Sequence, residues 1–127
     1  MNLATVISSI RSAWAERVGI DLHLDKAPND AQIPYAVMTF GQISGGGNDD
    51  TGTKEFEATP SFSVYVADDT DAINALDAID DLFNFGNLDY VYSSLFVNSQ
   101  FSWAYTDQAA YWVAEYSCSI RWTKEKT

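Results

Sequence analysis

Alternation of apolar and polar residues over positions 54–67 most constrains the fold of this chain. The apolar positions share one face of an extended segment and are Phe56, Ala58, Phe62, Val64 and Val66. A period of two predicts a β-strand with one face buried and the other solvated. Pro60 interrupts this strand and lacks a backbone N–H, so it predicts a bulge or an edge position.

The hydrophobic period becomes helical directly after this strand. Apolar residues now recur at spacings of three and four, at Ile73, Leu76, Ile79 and Phe83. This pattern predicts an amphipathic helix, with Asp68 or Asp69 as its N-cap. The N-terminal segment 3–18 has the same periodicity and predicts a second helix, which Gly19 ends.

Further strands are predicted at Ile33–Ile43, Tyr90–Tyr105 and Tyr111–Trp122. Together with the strand at 54–67, these elements predict an α+β fold. The expected sheet is mainly antiparallel, with four or five strands and two amphipathic helices packed on one face. The length of 127 residues is that of a single domain, 1–127. No apolar run approaches the roughly 20 residues that a membrane-spanning helix needs, so no membrane location is expected.

Charge is distributed unevenly along the chain. The segment from Glu55 to Ile120 has eleven acidic residues and no Lys or Arg, whereas the rest has seven acids and seven bases. The net charge of −11 therefore comes from this one segment. A field of this sign repels phosphates and argues against a conventional nucleic-acid-binding module, although DNA could still slide past such a surface.

Residues of the types used in catalysis are few. His23 is the only histidine and Cys118 the only cysteine, and neither belongs to a nucleophile or zinc motif. The glycine-rich segment SGGGNDDTG lacks the Gly-Lys-Ser/Thr ending of a P-loop. A weak divalent-cation site among the carboxylates stays open. The sequence predicts no enzyme, no resident cofactor and no dedicated metal site.

The order and character of the segments resemble a known family. The segments that show the resemblance are "IPYAVMTF", a glycine-rich loop, "FEATPSFSVYVADDTDAINALDAIDDLF" and a final strand "AAYWVAEYSCSIRW". This pattern is similar to the tail-terminator, or tail-completion, proteins of long-tailed bacteriophages and related gene transfer agents. The resemblance covers nearly the whole chain and consists of patterns, with no single signature motif.

The resemblance implies a structural virion protein that forms a ring, commonly a hexamer. Such a ring caps the tail tube, stops its polymerisation and joins the head through neck proteins. DNA passes through the lumen without specific binding. The implied partners are further copies of the chain, the major tail-tube protein and head-completion proteins. The implied location is the tail neck of the virion, assembled in the host bacterial cytoplasm.

Two sets of residues become candidate sites under this interpretation. The first is a hairpin loop between strands 33–43 and 54–67, expected to become ordered as a docking arm against a neighbouring subunit or the tube. It comprises Gly45, Gly46, Gly47, Asn48, Asp49 and Asp50. The second is an acidic lining of the lumen, or a rim facing a basic partner, made by Asp77, Asp80 and Asp81. Two other interpretations stay open: another neck or head-closure component, and a small non-enzymatic protein-binding module.

Overall fold

Two helices and seven strands form the described part of the chain, in a computed structural model that describes residues 3–41, 43–48, 53–85, 93–105 and 110–125. In chain order they are α1 (Leu3–Arg17), β1 (Asp21–Leu24), β2 (Tyr35–Thr39), β3 (Ile43–Asn48), β4 (Thr53–Ala58), β5 (Ser61–Val66), α2 (Asp69–Phe85), β6 (Ser93–Tyr105) and β7 (Ala110–Glu125). The predicted α+β class is confirmed.

The strands form one sheet organised around β7. Strand β6 pairs with one edge of β7. On the other edge of β7, β5 pairs with the first half of the strand and β4 with the second half. Strands β2 and β3 lie outside β5 and β4, and β1 lies outside β2. Every pair is antiparallel except β1–β2, which is parallel. The mainly antiparallel sheet is thus confirmed, with one parallel pair at its end.

The predicted strand 54–67 is divided into β4 and β5, whereas the predicted strand 33–43 is shorter, as β2, and shares only Ile43 with β3. Positions 40–42 separate β2 from β3, and on the paired segment only positions 59–60 separate β4 from β5. Gly41, between β2 and β3, adopts the left-handed φ of 60°. The predicted interruption at Pro60 is confirmed, since β4 ends at Ala58 and β5 begins at Ser61. The alternative of an edge position is wrong, because β4 and β5 are inner strands.

Both helices cover the same face of the sheet. From α1, Val6, Ile10 and Trp14 are buried, and the Trp14 ring stacks on Phe62 of β5 with centroids 5.2 Å apart. The Trp14 indole Nε1–H donates to the carbonyl of Ile20 at 2.7 Å, which holds the chain as it leaves the helix. These contacts join the first helix, its exit segment and the centre of the sheet in one apolar core.

Helix α2 begins as the sequence predicts. The backbone N–H of Asp71 donates to Asp68 Oδ1 at 2.8 Å, so Asp68 is the N-cap. Buried residues of α2 face the sheet, and they are Ala72, Ala75, Ile79, Leu82 and Phe83. Neither helix of the described residues is long and apolar enough to cross a lipid bilayer.

Candidate functional site

A row of tyrosines crosses the sheet on the face opposite the helices. We define the tyrosine row as Tyr35 of β2, Tyr65 of β5 and Tyr111 of β7. The Tyr35 and Tyr65 rings stack with centroids 4.7 Å apart, and Tyr65 and Tyr111 are tilted at 5.8 Å. Tyr35 and Tyr65 are direct cross-strand partners, so the strand register brings them together. All three are half-exposed, which leaves an aromatic surface open to a partner.

Tyr65, the central residue of the tyrosine row, has an uncharged hydroxyl around physiological pH. Burial raises the pKa of the Tyr65 hydroxyl above its usual 10.0, and the neighbouring Tyr35, Tyr111 and Glu115 raise it further. Tyr65 therefore keeps its proton and can both donate and accept a hydrogen bond. An amphipathic ring of this kind suits a protein contact, since it offers apolar area with a polar tip.

A cleft of about 510 Å³ adjoins one end of the tyrosine row. Its walls are the segment 25–31 and outward-facing residues of β2 and β5, including Thr39 and Ser63. His23 of β1 lies beside Tyr35, with ring centroids 6.2 Å apart. The cleft therefore extends the aromatic surface into a concave region next to a polar loop.

The opposite end of this face carries charged and hydroxyl side chains. Arg121 lies 3.8 Å from a carboxylate oxygen of Glu55 and 3.7 Å from one of Glu57, and all three side chains are about half exposed. The Ser119 hydroxyl donates to Glu57 Oε1 at 3.0 Å. The Ser61 and Ser117 hydroxyls form a cross-strand hydrogen bond of 2.9 Å. Along the strands, the tyrosine row is therefore followed by a polar patch on the same face.

Cys118, the lone cysteine, lies in the buried core. Burial raises the pKa of the Cys118 thiol to about 12, so it stays protonated and behaves as a small apolar side chain. Within the described residues, no three His, Cys, Asp or Glu side chains come together in a group that could hold a metal ion. What the face offers chemically is contact area and hydrogen bonding.

The acidic residues Asp77, Asp80 and Asp81 lie on α2, away from the tyrosine row. Asp77 and Asp81 are exposed and separated by one helical turn. Asp80 is half-buried, and its Oδ1 accepts a hydrogen bond of 3.1 Å from the Tyr116 hydroxyl of β7. Asp80 therefore anchors α2 to the sheet, while Asp77 and Asp81 face solvent. Their predicted place in a lumen or rim stays a prediction.

The glycine-rich segment differs from its predicted form. Gly45, Gly46, Gly47 and Asn48 belong to strand β3, which pairs antiparallel with β4, so their interpretation as a loop is wrong. The register shifts between Gly45 and Asn48, as glycine-containing strands often do at a bulge. Asp49 and Asp50 lie outside the described residues. The antiparallel pairing that a hairpin requires is present between β3 and β4, and the docking role stays a prediction.

The tyrosine row was missed by sequence reasoning, although a signal for it exists. Tyr65 and Tyr111 both fall on the polar face of their predicted strands, where a large aromatic ring is unexpected. Each is unremarkable alone. Their adjacency depends on the register of β5 against β7, which pairs Tyr65 with Val113 and Val66 with Trp112.

Comparison with known proteins identifies a shared fold. No protein-family model matches the chain, and no curated protein matches it. Among solved structures, a chain of the virion of a native gene transfer agent particle superimposes with a TM-score of 0.58 and 18% sequence identity. The match covers 95% of this chain and 93% of that chain. The likeness is one of fold, and it extends over nearly all of both chains.

Proposed function

We propose that this chain is a structural, non-enzymatic virion protein that caps a tail tube as a ring. The observation that carries the proposal is the fold shared with a gene transfer agent virion chain over 95% of this chain. The proposed ring, commonly a hexamer in the family it resembles, terminates tube polymerisation and joins the head through neck proteins. It would be located at the tail neck after assembly in the host bacterial cytoplasm.

The charge distribution supports a lumen through which DNA passes. Helix α2 has five aspartates and no basic residue, and Asp77 and Asp81 are exposed on it. Fixed negative charge repels phosphates and would keep the genome from adhering to the channel wall. Asp80 is a weaker candidate for this role than its neighbours, because its carboxylate already accepts the Tyr116 hydroxyl.

Electron microscopy of tail tubes tests the capping function. The purified protein is mixed with tubes of the particle whose genome encodes it, and tube ends are scored for an added ring. We expect a cap at one end of each tube and arrested elongation when tube protein is added. Tubes that stay uncapped and keep growing would contradict the proposal.

A charge-neutralising pair of variants tests the lumen separately. Asp77→Asn with Asp81→Asn is expected to leave capping intact and to increase DNA retention by the capped tube at low salt. The matched control is Glu16→Gln with Asp21→Asn, which removes the same charge from exposed positions on α1 and β1. Equal DNA retention in both double variants would place the α2 carboxylates away from the DNA path.

The open tyrosine face also favours a second candidate, a protein-binding module. Its half-exposed rings, one pair stacked at 4.7 Å and one pair tilted at 5.8 Å, are typical of contact surfaces. Under this alternative the chain stays monomeric and leaves tube ends unchanged. The Tyr65→Ala variant would then no longer bind the soluble partner. Tube capping by the Tyr65→Ala variant as well as by the parent chain would favour the ring.

A further inference from the structure

The outer edge of β6 is long, and its described residues carry no charge or proline, although the register shifts once between Phe96 and Asn98. Strand β6 has 13 residues, SSLFVNSQFSWAY, with no charged residue and no proline. It pairs with β7, and no strand of the described residues pairs with its other edge. Folded proteins usually shorten, charge or cover such an edge, because its free N–H and C=O groups pair readily with another chain.

The edge at β1 contrasts with that of β6. Strand β1 has only four residues, the exposed Asp21 lies within it and the exposed Asp25 follows it directly. Short length and charge are two of the devices that prevent edge-to-edge pairing. Strand β1 is therefore protected by short length and by charge, whereas β6 has neither of these two devices.

Strand β3 presents a second edge without charge or proline, with one register shift between Gly45 and Asn48. Its six residues, ISGGGN, include no charge and no proline, and its free edge has no partner strand in the part of the chain described. Ile43 is 38% exposed although it is a large apolar residue. Glycines have no side chain to obstruct an approaching backbone, so β3 can accept a neighbouring strand closely.

Strand directions make β6 and β3 complementary. Strand β7 is antiparallel to both β6 and β4, and β4 is antiparallel to β3, so β3 runs opposite to β6. A rotation about an axis along the strands preserves these directions from copy to copy. The β6 edge of one copy then meets the β3 edge of the next in antiparallel orientation, which is the more stable pairing.

We infer that the sheets of successive copies join edge to edge, with β6 of one copy paired to β3 of the next. This inference rests on the proposed ring, because a contact between two different edges is head-to-tail and gives a ring when the rotation between copies closes, and an open filament otherwise. In this arrangement the backbone of Gly45–Asn48 forms hydrogen bonds with the extended backbone of β6 in the neighbouring copy. The competing arrangement pairs β6 with β6 about a two-fold axis and yields a dimer.

Disulfide trapping between two variants distinguishes these arrangements. Ser44→Cys places a thiol on β3, and Ser94→Cys, Ser99→Cys or Ser102→Cys places one on β6. Each β6 variant is mixed with the β3 variant and oxidised, alone and in the presence of tubes. The native Cys118 is buried and its pKa of about 12 keeps it protonated, so it does not compete.

We expect a mixed disulfide between the β3 variant and at least one β6 variant, at least about tenfold above that formed by either variant alone. A disulfide between two copies of one β6 variant would overturn the inference in favour of the two-fold dimer. Absence of the mixed disulfide at all three positions would also overturn it, even if tubes are capped. A mixed disulfide without capping would support the edge pairing and contradict the proposed function.

Proline substitution at consecutive β6 positions gives a second readout. In an antiparallel ladder, the N–H groups of successive residues point to opposite edges. Proline substitutions at positions 99–102 should therefore alternate in effect. At positions whose N–H faces β7 they lower the stability of the monomer. At positions whose N–H faces the free edge they raise the concentration for half-assembly about tenfold, because one hydrogen bond between copies is lost. If no position impairs assembly while sparing monomer stability, the β6 edge is not the contact.

Discussion

The two faces of the sheet use the same strands for different purposes. On β5, Phe62, Val64 and Val66 are buried under the helices, whereas Ser61, Ser63 and Tyr65 on the other face are half-exposed. The buried face is continuous apolar packing. The open face holds stacked tyrosines and a polar patch. Alternation at a period of two thus separates the residues that stabilise the fold from those free to contact a partner.

Large-to-small substitution on the two faces of β5 should give the largest difference. Phe62→Ala removes a fully buried ring that packs on Trp14 at 5.2 Å and on Phe83 at 5.5 Å. We expect it to lower the free energy of unfolding by about 3–5 kcal/mol. Tyr65→Ala, on the open face of the same strand, should cost about 1–2 kcal/mol. Urea denaturation measures both, and equal losses would contradict the separation of faces.

Alkaline pH should weaken the buried face through Cys118. Its pKa is raised from 9.0 to about 12 by burial, so above pH 9 the unfolded chain releases a proton that the folded chain keeps. Stability present below pH 9 is therefore lost as pH rises towards 12, by up to about 1.4 kcal/mol per pH unit. Over pH 9 to about 10.5 the loss approaches ~2 kcal/mol.

The Cys118→Ala variant isolates this contribution. Denaturation curves from pH 8 to about 10.5 should show a shallower decline for the variant than for the parent. The tyrosines titrate in both proteins, and the pKa of Tyr116 is raised by burial, by Asp80 and in part by Cys118, so the difference in slope reports the thiol together with its effect on Tyr116. Parallel declines would mean that the thiol ionises equally in the folded and unfolded chains.

Local periodicity predicted the buried face well. The strand pattern at 61–66 and the helix pattern of α2 each depend on neighbouring residues, and both are confirmed with Asp68 as the cap. The open face was harder, because Tyr35, Tyr65 and Tyr111 meet only through the register of strands distant in sequence. Pairing partners, which the sequence does not display locally, decide that surface.

The glycine-rich segment shows the limit of local propensity. Three consecutive glycines disfavour a strand on their own. Pairing with β4 nevertheless places Gly45–Asn48 in β3, since tertiary context overrides a weak local preference. Asp80 is a similar case. Its hydrogen bond with Tyr116 joins residues 36 positions apart, so the helical pattern around Asp80 could not predict it.

Removing one tyrosine hydroxyl should destabilise the protein more at the contact with α2 than on the open face. Tyr116→Phe loses the 3.1 Å hydrogen bond to Asp80 and leaves that half-buried carboxylate without this donor. We expect a loss of about 1.5 kcal/mol in the free energy of unfolding. Tyr111→Phe, the same change in the tyrosine row, should cost under about 0.5 kcal/mol. In a double-mutant cycle with Asp80→Ala, additive losses would show that the two residues are uncoupled.

The smallest effect is expected from the charged end of the open face. Arg121 lies 3.8 Å and 3.7 Å from two carboxylates, with its side chain 49% exposed, so solvent and salt screen both pairs. Arg121→Gln should therefore cost about 0.5 kcal/mol at low salt and less at high salt. Arg11→Gln on the exposed surface of α1 removes the same charge from a chain of net charge −11.

Comparison of these two variants separates local pairing from global charge. If self-repulsion of the acidic chain governs stability, both variants lose the same amount and salt restores both. If the ion pairs of Arg121 matter, only Arg121→Gln falls below the parent at low salt, and the gap to Arg11→Gln closes as salt is added. A gap that persists at high salt would mean that the Arg121 side chain stabilises the sheet by packing of its methylene groups against β4.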